Sequence, residues 1–385
     1  MTTANYLNEF SKNLMGKSKN ETLVFSPFSL MQALAMTANG ATGDTQKEMV
    51  DTLTLSKFEA PDYFSKFSTT EKMVEDALSF YNYDTNKYER GSVILNTINR
   101  VAVESTFAIN PQYVQSLKDN FNSDLMQCDF KNNADKETAN INNFVSENTN
   151  KLIPSLIPDG LLNESTKLVL INAVYFNGTW EQSFNKELTD TQDFFVSKLE
   201  TKQLEFMNNP DLDKLQYLND EDAEILDLPY SNSNLRFRII LPNENKSLEA
   251  IAPTLDLYLG KLYTNLASVN LSMPKFKIEY EFPATDVLKS LGMEQAFEDT
   301  AEFDFMIDRT KDSLTTLKIG VVIHKAIIDL SETGTEAAAA TAVAMFECTS
   351  FSMPLEVTIK LNRPFYFAIQ DIRTNATLFL GKFQG

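Results

Sequence analysis

The 385-residue sequence predicts an α+β fold built from packed layers of helix and sheet. Three observations predict it. Segments with the three-to-four-residue apolar spacing of amphipathic helices alternate with short apolar runs rich in β-branched residues, which favour strands. The last third of the chain is especially rich in such runs. No Pro/Gly/Ser-rich linker, charge block or internal repeat divides the sequence, so it offers no boundary between domains.

The first half of the chain begins with a predicted helix, because residues 2–16 place their apolar side chains at helical spacing. The segment LVFSPFSLMQALAMTANGA then predicts a short strand, a turn and a helix that ends at Gly40. Ser26 is suited to cap this helix, and Pro27 fits its first turn. The weaker patterns that follow predict a helix and a loop in residues 56–90, a strand in 92–104 and a helix in 136–153.

Long apolar runs mark the strands of the second half. KLVLINAVYFNGTW (167–180) predicts a central strand, and LRFRIILP (235–242) predicts another. IGVVIHKAIIDLSE (319–332) predicts a buried strand, and LEVTIKLNRPFYFAI (355–369) predicts one or two more.

Between these last two strand-forming segments lies ETGTEAAAATAVAMFECTSFSM (332–353). Taken alone, such an Ala/Thr run suits a flexible linker or a short helix. Read as a strand, it alternates so that every second side chain from Thr335 to Met345 is small or apolar. Such a segment fits into the middle of a sheet without burying a charge on that face.

Composition argues against several partners. The net charge is −19, and Lys and Arg form no basic stripe, so no nucleic-acid partner is expected. No apolar run approaches twenty residues, so no membrane span is expected, and the polar N-terminus lacks the apolar core of a signal peptide. Two cysteines, Cys128 and Cys348, make no disulfide framework. A cytoplasmic address is the default expectation, with secretion without a cleaved signal peptide as the alternative.

Catalytic chemistry finds little support in the sequence. A Cys–His pair would need His324, the only histidine, together with Cys128 or Cys348, but His324 lies within an apolar strand. By itself, His324 is interpreted as a core histidine satisfied by hydrogen bonds. The residues show no zinc-ligand spacing and no phosphate-binding glycine loop, so no catalytic residue, metal or cofactor is predicted.

Several motifs, in their joint order, resemble the serpin family. Along the chain these are FSPFSL (25–30), GATGDT (40–45), LVLINAVYFNGTW (168–180), MPKFKIE (273–279), LKSLGMEQAF (288–297), HKAIIDLSETGTEAAAAT (324–341), LNRPFYFAI (361–369) and LFLGK (378–382). The resemblance is to inhibitory serpins of the intracellular, ovalbumin-like type. It implies a single domain over residues 1–385 with a main central β-sheet, two smaller sheets, surrounding helices and an exposed reactive-centre loop at about 332–354.

The resemblance implies a suicide-substrate inhibitor rather than an enzyme. A serine protease would cleave the loop and remain in a covalent complex while the freed segment of this metastable fold inserts into the main sheet. Counting seventeen residues from Glu332 places the cleaved bond at Cys348–Thr349; counting back from LNRPFYFAI reaches Met353, the second choice. The implied loop hinge consists of Glu332, Gly334, Thr335, Glu336, Ala337, Ala338, Ala339, Ala340 and Thr341.

The resemblance also implies a sheet-opening network beneath the main sheet, with Trp180 where the loop first enters. The network residues are Ser26, Ser29, Asn172 and His324. Apolar residues around the bond favour a chymotrypsin-like or cathepsin-G-like target, and residues 337–359 contain no Lys or Arg to suit a trypsin-like one. Papain-like cysteine proteases are an alternative class of target.

A serpin without inhibitory activity, serving as a carrier, chaperone or storage protein, is the other alternative. Its hinge would carry charged or bulky residues, which this hinge lacks; Thr333 is one departure, since many serpins have glutamate there. The counterpart of the heparin-binding helix, residues 62–80, has only Lys66 and Lys72 among several acids, so heparin binding is not expected. The expected state is a monomer.

Overall fold

A computed structural model describes residues 3–53, 76–82, 85–91, 93–335 and 355–385. These residues form eight α-helices: α1 Thr3–Lys17, α2 Pro27–Ala38, α3 Gly43–Thr52, α4 Pro111–Phe121, α5 Phe130–Asn148, α6 Leu248–Ile251, α7 Leu255–Gly260 and α8 Ala284–Ser290. Three short 3-10 helices accompany them, at Lys186–Leu188, Ala252–Thr254 and Gln295–Phe297. In this part of the chain no helix is long and apolar enough to cross a membrane.

The strands of the first part of the chain are β1 Leu23–Phe25, β2 Ser79–Asn82, β3 Lys87–Arg90, β4 Ile94–Glu104, β5 Leu125–Cys128, β6 Leu168–Thr179, β7 Asp190–Phe195, β8 Thr201–Asn219 and β9 Ala223–Pro229. Those of the second part are β10 Leu235–Pro242, β11 Leu266–Pro274, β12 Phe276–Phe282, β13 Ile319–Ser331, β14 Gly334–Thr335, β15 Leu355–Lys360, β16 Phe365–Asp371 and β17 Thr377–Phe383. They form sheets of nine, six and two strands, which confirms the predicted α+β class.

The six-stranded sheet has the order β12-β13-β14-β6-β4-β5. Its centre is unusual, because β13 and β6 pair directly with each other in parallel over most of their length. Only at one end does the two-residue strand β14 lie between them, antiparallel to both. We call the direct β6–β13 ladder, which pairs residues 168–175 with residues 319–327, the seam.

Both faces of the seam are covered, because side chains of a strand alternate between the two faces of its sheet. On one face, β6 and β13 contribute to the main core, which includes α1, α2 and the nine-stranded sheet. On the other face, they share a second apolar cluster with α5 and the segment that follows it. Both sides are well packed, so the seam opens only if one layer moves.

The nine-stranded sheet follows the order β1-β17-β16-β10-β9-β8-β11-β15, with β7 on β8. The 19-residue strand β8 is long enough to pair with β9 at one end and with β7 and β11 at the other. The edge strand β15 begins at Leu355, where the description of the chain resumes after the loop.

Most predicted elements are present, with shifted ends. The helix predicted for 136–153 spans Phe130–Asn148, because Asp129 accepts a hydrogen bond from the Asn132 N–H and so caps it earlier. The cap predicted at Ser26 is present, with the Ser29 N–H donating to its hydroxyl. Of residues 56–90, the described part includes the β2–β3 hairpin, which the lack of a clean period did not predict.

Candidate functional site: the hinge and the seam

The hinge, defined here as Glu332–Thr335, carries the chain from the end of β13 into the sheet. Thr335 pairs with Leu330 of β13 and with Gly178 of β6, and its side chain is fully buried. Gly334 has a φ of +151°, and a Cβ there would lie 2.1 Å from the Gly178 carbonyl oxygen. Glycine is therefore required for the turn into the sheet. The first loop residue already occupies a strand position between β13 and β6.

Two aromatic side chains hold this entry point. The Trp180 indole stacks on Tyr230, with ring centroids 4.8 Å apart, and its Nε1–H donates to the Ser331 carbonyl at 3.0 Å. The Tyr230 hydroxyl lies 2.7 Å from the Thr335 hydroxyl, in a buried contact. Burial raises the pKa of Tyr230, so its hydroxyl stays protonated. Trp180 thus lies where the sequence placed the point of loop entry.

Glu332 anchors the outer end of the hinge. Its carboxylate accepts a hydrogen bond from the Thr189 hydroxyl at 2.9 Å and pairs with Lys275 at 3.3 Å. Burial by itself would raise the pKa of Glu332, but hydrogen bonds from its own N–H, Thr189 and Lys275 outweigh burial and lower the pKa. The hinge carboxylate therefore stays charged and fixed.

A buried polar cluster lies beneath the seam. The Ser26 N–H donates to His324 Nε2 at 2.9 Å, and the other ring nitrogen of His324 contacts the Asn172 side-chain oxygen. Asn172 Nδ2 donates to the Ser29 hydroxyl at 2.6 Å. The four residues proposed from the sequence therefore lie together, across β6, β13 and the start of α2.

The cluster fixes the state of His324. Because Nε2 accepts from Ser26, the proton of the neutral ring is on Nδ1, which donates to Asn172. Complete burial lowers the pKa of His324 to about 3. A charged ring would direct a second N–H at the Ser26 N–H, so the cluster requires the neutral form.

Sequence reasoning missed four members of the site. Asn99 of β4 contacts Ser29 and Asn172, and Gln32 of α2 contacts Asn99. Tyr230 and Lys275 hold the hinge from other strands. A polar residue at a buried position of β4 was the available signal for Asn99, and MPKFKIE already contained Lys275; Tyr230 carried no signal.

The predicted cleavage site lies outside the described residues. This applies to Cys348, Thr349 and Met353, and to the hinge residues Glu336, Ala337, Ala338, Ala339, Ala340 and Thr341. Cys128 is described: it is buried, and burial raises its pKa to about 12, so it forms no thiolate nucleophile at neutral pH. Within the described ranges, no three His, Cys, Asp or Glu side chains group to hold a metal ion.

Comparisons with known proteins agree with this arrangement. The sequence model of the family described as "Serpin (serine protease inhibitor)" matches residues 3–384. An uncharacterized serpin-like protein of Methanosarcina acetivorans is 33% identical over 387 residues, covering 99% of this chain and 85% of the relative. A leukocyte elastase inhibitor of Xenopus laevis is 32% identical over 381 residues, covering 97% and 95%.

Among solved structures, the thermophilic serpin tengpin in its native state superposes with a TM-score of 0.83 at 30% identity. The match covers 100% of this chain and 94% of tengpin. The fold expected from the sequence motifs, with its main sheet and surrounding helices, is therefore confirmed.

Proposed function

This chain belongs to the serpin family, and we propose that it is a suicide-substrate inhibitor of a chymotrypsin-like serine protease. One observation carries the proposal. The hinge residue Thr335 is already paired as a strand between β13 and β6, and directly beyond it the two strands pair with each other along the seam. The loop therefore starts inside the sheet, at the head of a ladder that it would have to part.

The register explains why further insertion is favourable. Strands β6 and β13 are parallel, whereas β14 is antiparallel to both. Extending β14 would replace one parallel ladder with two antiparallel ladders, which are slightly more stable per residue. Each new backbone hydrogen bond contributes about 0.5–1.5 kcal/mol net, against about 1–2 kcal/mol for fixing each residue. The balance therefore needs bonds on both edges, which a central position supplies.

Cleavage would release the strain that holds the loop outside. The protease serine attacks the carbonyl carbon of residue 348, an ester forms to that carbonyl, and the peptide bond to Thr349 breaks with its nitrogen leaving as an amine. Freed at this point, the segment from Thr335 onward extends β14 along the seam before water attacks the ester. The target remains covalently attached.

Chain length sets how far the protease would travel. Thr335 to Cys348 is 14 residues, about 46 Å as a strand. A compact chain of 385 residues has a radius of gyration of about 21 Å. The inserted strand therefore reaches from one end of the sheet to the other, where a distorted protease no longer completes hydrolysis.

A panel of chymotrypsin-like, trypsin-like and papain-like proteases tests the proposal. Incubation with a chymotrypsin-like member should give an adduct that survives denaturing gels, and mass spectrometry should find a cut at Cys348–Thr349 or at Met353. An adduct formed only with the papain-like protease would reassign the target class.

Thermal unfolding separates inhibition from the non-inhibitory alternative. If the cut loop inserts, the nicked protein should melt well above the intact one, because the sheet has gained a strand. Clean cleavage of the loop, no adduct with any protease and an unchanged melting temperature would overturn the proposal and favour a carrier, chaperone or storage role.

A further inference from the structure

Helix α5 spans the seam on the face opposite the polar cluster. A single buried apolar cluster joins the helix to both of the strands that would part. Its members include Ile141 and Val145 of α5, Val169, Ile171 and Ala173 of β6, and Ile323 and Ile327 of β13. The helix thus packs on both sides of the same ladder.

An inserted strand would pull this cluster apart. Neighbouring strands lie about 4.8 Å apart, so a new strand between β6 and β13 moves their side chains apart by about that distance. Interiors are close-packed and tolerate little empty space. Helix α5 therefore has to lift or slide while the loop enters, and whatever holds the helix down resists insertion.

One buried carboxylate attaches the start of α5 to the sheet. Glu104, at the end of β4, is only 4% exposed. Its Oε2 accepts from the Lys131 N–H at 3.0 Å, in the first turn of α5, and its Oε1 accepts from the Thr106 N–H at 3.0 Å and the Ser105 hydroxyl at 3.3 Å. No cation pairs with it among the described residues. The carboxylate therefore relies on these donors, one of which belongs to α5.

The position favours a strong contact. The first N–H groups of a helix have no partner within the helix, and the helix dipole favours negative charge there. Hydrogen bonds to a charged acceptor are about twice as strong as neutral ones. We propose that Glu104 is a positioning residue that holds α5 over the seam, and that breaking its bond to Lys131 is part of the barrier to loop insertion. This inference rests on the proposed function.

The test uses the only tryptophan of the chain as its reporter, since Trp180 lies at the entry point. Intact protein is mixed with a synthetic peptide of residues 335–347, and Trp180 fluorescence follows its entry into the sheet. In Glu104→Gln an amide NH₂ replaces one of the two acceptor oxygens. The rate constant should rise about tenfold, equal to about 1.4 kcal/mol.

Two controls separate a positioning role from a merely structural one. Glu147→Gln makes the same change at an exposed position of α5 and should leave the rate unchanged. Glu104→Asp keeps the charge but is one methylene shorter, so it should also accelerate entry and serves if Glu104→Gln does not fold. A lower urea midpoint for Glu104→Gln with an unchanged rate of entry would show that the contact is only structural and overturn the inference.

The same experiment distinguishes the two proposals. If the wild-type protein admits no peptide and its melting temperature does not rise, the proposed function fails and this inference fails with it. If the wild-type protein admits the peptide while both Glu104 variants admit it at the wild-type rate, only this inference fails.

Discussion

Replacing Thr335 with arginine should convert the inhibitor into a substrate. The Thr335 side chain is fully buried between β13 and β6, with its hydroxyl 2.7 Å from that of Tyr230. An arginine there must either bury an unpaired charge, at a cost of several kcal/mol, or withdraw the hinge from the sheet. If about 3 kcal/mol of that cost appears in the transition state of insertion, insertion slows about 150-fold.

The stoichiometry of inhibition measures this directly, because insertion competes with hydrolysis of the ester. We expect Thr335→Arg to be cut at the same bond as the wild-type protein, with at least ten times more inhibitor consumed per protease molecule trapped. Thr333→Arg is the matched control: its half-buried side chain precedes the paired hinge strand, so the stoichiometry should stay near wild type. Full inhibition by Thr335→Arg at the wild-type stoichiometry would refute the argument from burial.

Three further predictions concern stability. Unfolding returns the pKa of His324 from about 3 to about 6.5, so the unfolded chain binds the proton first and stability is lost as pH falls below 6.5. Urea titrations of the wild-type protein should show a loss approaching 1.4 kcal/mol per pH unit beyond that of His324→Gln between pH 6 and 5; parallel curves would contradict the neutral-ring assignment. Asp227→Asn should cost about 3–5 kcal/mol, since the buried Asp227 carboxylate pairs with both Arg236 at 3.0 Å and Arg238 at 2.8 Å. Asp51→Asn, which removes the exposed partner of Lys47, should cost under about 1 kcal/mol, and equal losses would argue against the buried cluster. Tyr230→Phe keeps the stack on Trp180 but removes the bond to Thr335, so amide exchange at Thr335 should become faster; unchanged exchange would show that pairing alone holds the hinge.

Local patterns were enough for elements whose burial or capping is written into neighbouring residues. β1, α2 and the cap at Ser26 follow from an apolar run, a Ser-Pro pair and helical spacing within twenty residues. The helix α5 was placed correctly in kind but not in extent. Its start depends on Asp129 and on Glu104, and the Glu104 contact comes from a strand 27 residues away.

The residues that would enter the sheet, and the need for them to be small and uncharged on one face, were determined by the sequence alone, because strand alternation and side-chain size are local properties. The tertiary structure alone decided where that entry begins. The parallel seam, the pairing of Thr335 inside it, the Tyr230 contact and the hold of Glu104 on α5 all join residues far apart in the chain. Such contacts depend on which strands become neighbours, and no periodicity within a single segment encodes that choice.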